Sequence, residues 1–258
     1  MTDVQRFLKR VGLDPDMTIV LNLDFLKTLQ SHCVCSIAYE NLDILAGIPL
    51  DLSYDALFDK LVTRNRGGYC FESNGLLFHM LRRMGFSVTE RFARFLRGET
   101  VLPMRRHRLS VVSLPDGDYM VDIGIGQVAP REPLKIAADL TQIQGKESYR
   151  FCRTAQNIWI LQELHHGQWQ DYLCFSDEEA YEVDFIQPSF FCEKHPDSIF
   201  NKVPKLAIKT PDGRCTVDGS TYKEFREEQL VSIEENISSP RLRQLCGDQF
   251  QLSNIPNF

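Results

Sequence analysis

The sequence predicts an α+β fold, and three observations carry that prediction. Helical spacing of apolar residues fills the first third of the chain, strand-like runs separated by turn residues begin at Ser87, and no regular strand–helix–strand alternation runs through the whole.

In chain order, Val4, Phe7, Leu8 and Val11 follow the i, i+3, i+4, i+7 spacing of a first helix, and a second periodic run covers about Leu21 to Leu29. Ser53 is placed to cap a third helix carrying Leu57, Phe58 and Leu61, because its hydroxyl can accept a free first-turn N–H. A fourth begins near Cys70 and stops before Gly85, a residue suited to the left-handed conformation after a helix end. Three hairpins follow: "HRLSVVSL", "PDGD", "YMVDIGI"; then "NIWILQEL", "HHGQ", "WQDYLCF"; then "PKLAIKT", "PDGR", "CTVDG". Ser239 as cap and Pro240 at the first helical position signal a short helix near the C-terminus.

The 258 residues suffice for one large domain or two to three small ones, and 43% hydrophobic with 25% charged residues is ordinary for a soluble protein. A net charge of -6 and a pI near 5.6 argue against nucleic acid as partner, since phosphate backbones reward a cationic face. No apolar N-terminal leader and no run of the length a membrane span needs is present, which makes the expected location cytoplasmic. The eight cysteines are irregularly spaced and read as reduced thiols. "HCVC" at 32–35 lacks a second ligand pair, so small semi-buried helix residues are expected there and no metal site.

One cysteine stands apart. In "RNRGGYCFE" at 64–72, Cys70 follows two glycines and opens a helix. Glycines take backbone angles closed to other residues and let a substrate approach the main chain closely, and a helix N-terminus favours thiolate over thiol. A buried cysteine that merely starts a helix fits the local pattern equally well. A nucleophile also needs a base. His79 lies too far along the same helix, His165 and His166 sit in a turn, and His32 and His195 lack an orienting context. His107 begins a strand whose hairpin partner carries Asp122, a carboxylate inside an apolar run that needs a polar partner. A loop at Asp116-Gly117 would leave His107 about four residues, ~13 Å, from the position opposite Asp122. A loop centred on Pro115-Asp116 halves that offset, and a three-residue loop puts the two on opposite faces unless a bulge intervenes.

"RNRGGYCFE", the strand starting at His107, "VDIGIG", "IAYENLDILAGIPLDL" at 37–52 and "HPDSIF" at 195–200 together resemble the arylamine N-acetyltransferase family, over nearly the whole chain and in the same order. The resemblance implies a helical bundle over 1–85 carrying Cys70, a β-barrel over 86–185 carrying His107 and Asp122, and an α/β lid over 186–258. It implies a Cys70–His107–Asp122 triad and ping-pong transfer of acetyl from acetyl-CoA, as co-substrate, to arylamines, arylhydrazines or N-hydroxyarylamines. Tyr39, Tyr69, Phe71 and Phe95 are candidate walls for a flat acceptor, with Ile125 standing where the family often has an aromatic residue. "CEK" replaces a Ser/Thr-bearing run before "HPDS". Arg105 and Arg106 are candidate contacts for the CoA phosphates, and Gly124 and Gly126 could let its pantetheine arm pass close to the backbone. Arg66 is expected to pair with Glu40 or Asp43. Two rival readings share the same cysteine: a cysteine hydrolase or transglutaminase-like acyltransferase, and a non-enzymatic thiol sensor that has no need of His107.

Overall fold

The computed structural model describes residues 1–257. Helices α1 (Asp3–Arg10), α2 (Leu23–Ser36), α3 (Leu42–Leu45), α4 (Tyr54–Phe58) and α5 (Cys70–Met84) occupy the first third, with the two-residue strand β1 (Tyr39–Glu40) between α2 and α3. Phe7 and Leu8 of α1, Leu26, Leu29 and Cys33 of α2, and Leu76, Leu77, Met80 and Leu81 of α5 meet in one core, each at most 1% exposed. α1 starts with reciprocal hydrogen bonds: Gln5 N–H donates to Thr2 Oγ1 (3.2 Å) and Thr2 N–H to Gln5 Oε1 (2.8 Å). α5 ends at Gly85, which takes φ +100° as its sequence predicts.

Two helix boundaries and one capping bond differ from the sequence reading. α2 continues through "HCVC", so Cys33 and Cys35 ride on a helix. Ser53 occupies the N-cap of α4, but its hydroxyl caps nothing; its own N–H donates to Asp51 Oδ1 (2.8 Å) instead. The last helix, α7 (Ser239–Asp248), is capped by Ser238 rather than Ser239, with Arg241 N–H donating to Ser238 Oγ. Adjacent serines offer the same chemistry, and only the backbone conformation chooses between them.

Strands β2 (Ser87–Phe95), β3 (His107–Leu114), β4 (Gly117–Val121), β5 (Leu134–Lys135), β6 (Gln142–Gln144), β7 (Glu147–Arg153), β8 (Ile158–His165) and β9 (Gln168–Ser176) form one antiparallel sheet in the order β5-β4-β3-β2-β9-β8-β7-β6. It curls around Ala93, Leu109, Tyr149, Phe151, Leu161 and Leu173, all fully buried. Its two edge strands meet without a backbone ladder. The Gln142 amide accepts from Lys135 N–H (2.7 Å) and donates to Lys135 O (2.9 Å). The Gln144 amide does the same for Glu132 (3.0 and 2.8 Å). Side-chain amides thus cover edges that would otherwise be open to another chain, and the sheet is a nearly closed barrel.

After α6 (Ile186–Lys194), strands β10 (Lys205–Thr210), β11 (Gly213–Asp218), β12 (Thr221–Arg226) and β13 (Gln229–Glu234) make a second antiparallel sheet. Its first strand is β1, which pairs with β10 through Tyr39↔Ala207 and Glu40↔Leu206. The "YEN" segment therefore joins three regions. Tyr39 faces the cavity described below, Glu40 binds Arg66, and the Asn41 amide donates to Phe200 O (2.7 Å) and Val203 O (2.9 Å). Among the described residues, no helix is long and apolar enough to cross a membrane. The eight cysteines stand as free thiols.

Candidate active site

The Gly-Gly pair before Cys70 is explained by the chain beside it. A Cβ on Gly67 would lie 2.1 Å from the Ala38 carbonyl oxygen, and one on Gly68 would lie 2.8 Å from Glu72 Cβ. Gly68 N–H donates to Ala38 O (3.1 Å), and Glu40 N–H donates to Gly68 O (3.1 Å). The glycines let the loop before Cys70 lie flat against β1 and the first turn of α5, so their task is packing within the protein and not substrate approach.

Charges lock the same loop from behind. Arg66 Nη2 reaches both Glu40 Oε1 (2.6 Å) and Asp43 Oδ1 (2.8 Å). Lys60 Nζ reaches Asp43 Oδ2 (2.8 Å) and Glu72 Oε1 (2.7 Å). All five groups are buried. Burial alone would raise Asp43, but Lys60 and Arg66 hold it below the usual carboxylate range. Burial pushes Glu72 up, against the pull of Lys60, as expected where three carboxylates share two cations.

The β3–β4 hairpin settles the register left open by the sequence. Leu114 pairs with Gly117 and Ser110 with Val121, so the turn is Pro115-Asp116. Continued by one position, Leu109 stands opposite Asp122, and His107 lies on the same face about two residues along, a diagonal that side chains span. His107 Nε2 is 2.6 Å from Asp122 Oδ2. Asp122 is fully buried and His107 is 5% exposed.

Cys70 and His107 line one cavity of about 300 Å³. His107 Nε2 is engaged by Asp122, and the Cys70 thiol donates to the Arg106 carbonyl (3.7 Å). Burial pushes the Cys70 thiol well up, and nearby Cys192 and Asp122 act in the same direction; backbone N–H groups of Arg108 and Phe71 pull the other way. At the start of α5 the first-turn N–H groups favour the thiolate, and the desolvation of a sulfur that is 4% exposed opposes them. An isolated thiolate is disfavoured here, which makes an adjacent proton acceptor the deciding feature.

The remaining expected site residues divide. Tyr39, Phe95, Arg106, Gly124, Ile125 and Gly126 line the cavity. Tyr69 and Phe71 do not: both are fully buried, stacked edge-on to each other (5.4 Å between centroids), with the Tyr69 hydroxyl 2.6 Å from Ser189 Oγ. At a helix start the aromatic neighbours of an inward-facing cysteine point into the core. Arg105 lies outside as well, paired with Glu178 (3.3 Å) on a separate groove of about 690 Å³ that Arg106 also borders. Gly124 packs on Cys70 itself, since a Cβ there would lie 2.7 Å from Cys70 Cα, and Gly126 packs on Tyr39. Both glycines serve these close contacts within the protein.

The sequence reading gave no site role to Phe200 in the loop before β10, to Lys205 of β10 or to Thr216 of β11, all of which line the cavity, nor to Asn74, buried on α5 beside Asp122. Asn74 had a signal: a polar residue on a buried helical run needs a partner. Phe200 closes the "HPDSIF" motif, which was given no cavity role; Lys205 and Thr216 had no signal, because β10 and β11 join the cavity only through tertiary packing.

A family model described as N-acetyltransferase matches residues 22–254. An arylamine N-acetyltransferase / N-hydroxyarylamine O-acetyltransferase of Salmonella typhimurium is 32% identical over 90% of this chain and 83% of its own length. An arylamine N-acetyltransferase of Mycolicibacterium smegmatis is 36% identical over 84% and 80%. The solved Salmonella typhimurium arylamine N-acetyltransferase superposes with a TM-score of 0.92 at 31% identity, covering 98% of this chain and 92% of that one. The Mycobacterium marinum arylamine N-acetyltransferase in complex with CoA gives 0.89 at 31%, over 96% and 92%. By sequence, by fold and by the order of its motifs, this chain is an N-acetyltransferase enzyme belonging to the arylamine N-acetyltransferase family.

Proposed function

We propose that this enzyme carries an acetyl group from acetyl-CoA to the nitrogen of an arylamine, arylhydrazine or N-hydroxyarylamine by way of a thioester on Cys70. The observation that carries this reading is the convergence of the buried His107–Asp122 pair (2.6 Å) and Cys70 on one cavity. In the first half-reaction the Cys70 proton passes to His107 and the sulfur attacks the acetyl carbonyl. The C–S bond to CoA breaks, and the CoA thiolate leaves with the proton from the imidazole. One thioester replaces another, so the step is close to isoenergetic. In the second, the amine nitrogen attacks the acetyl-cysteine, His107 takes the amine proton, and the Cys70 sulfur departs to be reprotonated. Asp122 fixes the ring and stabilises its protonated form.

The cavity suits both partners. Tyr39, Phe95, Phe200 and Ile125 offer apolar walls to a flat ring. Two cations at the same cavity, Arg106 and Lys205, are held by Glu99 (3.7 Å) and Asp218 (2.7 Å) respectively. Both can turn to the phosphates of CoA, which leaves Arg106, joined by Lys205, as the phosphate contact in place of the Arg105–Arg106 pair.

An acceptor panel of anilines, aminobenzoates and hydrazides with acetyl-CoA tests the reading. The wild type is expected to acetylate members of the panel with parallel double-reciprocal plots, and Cys70→Ser to acetylate none. Intersecting plots, or turnover by Cys70→Ser, would contradict a thioester route.

A further inference from the structure

Asn74 sits one turn after Cys70 on α5 and is fully buried. Its Nδ2 donates to Asp122 Oδ1 (2.8 Å) and to the backbone carbonyl of Arg108, and its Oδ1 accepts from Ile123 N–H (2.9 Å). A backbone N–H can only donate, so the amide orientation is fixed with its NH₂ toward the carboxylate. One side chain thereby ties the helix of the nucleophile to the residue after His107 and to the residue after Asp122.

The torsion that turns a carboxylate has a broad, nearly two-fold profile, so nothing intrinsic tells Asp122 which oxygen to present to the imidazole. Two donors decide it. Asn74 Nδ2 and Gly124 N–H, each at 2.8 Å, hold Oδ1, and this leaves Oδ2 for His107. Gly124 also makes the room: a Cβ there would lie 2.7 Å from Asn74 Nδ2.

We propose that Asn74 is a positioning residue for acetyl transfer, locking the Asp122 carboxylate so that the His107 ring is held toward Cys70. The proposal rests on the reading of Cys70, His107 and Asp122 as the transfer relay. Asparagine fits where its nearest relatives do not. Aspartate would keep the acceptor for Ile123 N–H but would set a carboxylate against Asp122 Oδ1 and Arg108 O. Serine is too short to bridge all three partners.

The test compares Asn74→Asp and Asn74→Ser with wild type and His107→Gln, measuring steady-state kinetics and the pH profile of Cys70 alkylation by iodoacetamide. For the Asn74 variants, kcat is expected to fall on the order of 100-fold, as for a misplaced catalytic group, with KM for acetyl-CoA little changed. Their alkylation profiles are expected to move toward that of His107→Gln. A residue that only glued helix to sheet would lower the melting temperature and leave the profile of the folded enzyme alone. Serine serves should aspartate prevent folding. Wild-type kcat and profile in either folded variant overturn the proposal. If His107→Gln itself overlays wild type, the relay reading fails; if His107→Gln differs while the Asn74 variants overlay wild type, only the role of Asn74 fails.

Discussion

His107→Gln is expected to lower kcat/KM for acetyl transfer on the order of 10⁴-fold, the upper end of what a positioned general acid–base contributes. The size follows from the sulfur's surroundings. Cys70 is 4% exposed, and burial drives its thiol well above the ordinary range. Two backbone N–H groups act against that burial without cancelling it. Only a group that takes the proton while remaining beside the sulfur can supply a nucleophile near neutral pH. Glutamine keeps the shape and a hydrogen bond to Asp122 but cannot accept that proton. The sign for pH is set by the raised thiol: alkylation of Cys70 in this variant should become appreciable only in strongly alkaline solution, where the isolated thiol ionises. Near-wild-type turnover by His107→Gln would show that another group acts as base.

Arg66→Gln is expected to lower the unfolding free energy by about 3–5 kcal/mol, the usual scale for removing one partner of a buried ion pair. In a chain of this size that lowers the melting temperature by roughly 10 °C. Arg66 and Glu40 are 1% and 0% exposed, and one guanidinium nitrogen serves both Glu40 and Asp43. Without it, three buried carboxylates, Glu40, Asp43 and Glu72, share Lys60 as the one remaining cation of the cluster. Arg66 also donates to the carbonyl of Asn254 (3.3 Å), so the C-terminal segment loses a contact as well. The loop from Arg66 to Tyr69 leads directly into Cys70, and activity should fall with stability. An exposed arginine would give about 0–1 kcal/mol; a melting temperature within that range, followed by thermal denaturation, would refute the burial argument.

The parts of this account legible in the sequence were those with local causes. Gly85 marked the end of α5, "PDG" segments marked two hairpins, and a carboxylate inside "YMVDIG" demanded a partner. The family resemblance read from the motifs agrees with the relatives found by sequence and fold, and membership in that family displaces the hydrolase and sensor readings. What could not be read depended on meetings between distant segments. The hairpin register allowed the His107–Asp122 pair under one turn and denied it under another, and the choice appears only in the Leu114–Gly117 pairing. Gly67 and Gly68 looked like room for a substrate, but the Ala38 carbonyl lies against the first and the Glu72 side chain against the second. Tyr69 and Phe71 resembled cavity walls because aromatic residues beside a nucleophile do so in one dimension; the direction of each ring is set by the first turn of α5. Lys205 and Thr216 join the cavity of Cys70 across more than a hundred residues of chain, with no local pattern to announce them.

The most direct measurement mixes the enzyme with acetyl-CoA in the absence of any acceptor and follows intact mass and peptide maps. The account predicts a gain of one acetyl group, confined to Cys70, in the wild type and none in His107→Gln. An unlabelled Cys70 in active wild-type enzyme, or equal labelling of the two proteins, would contradict it.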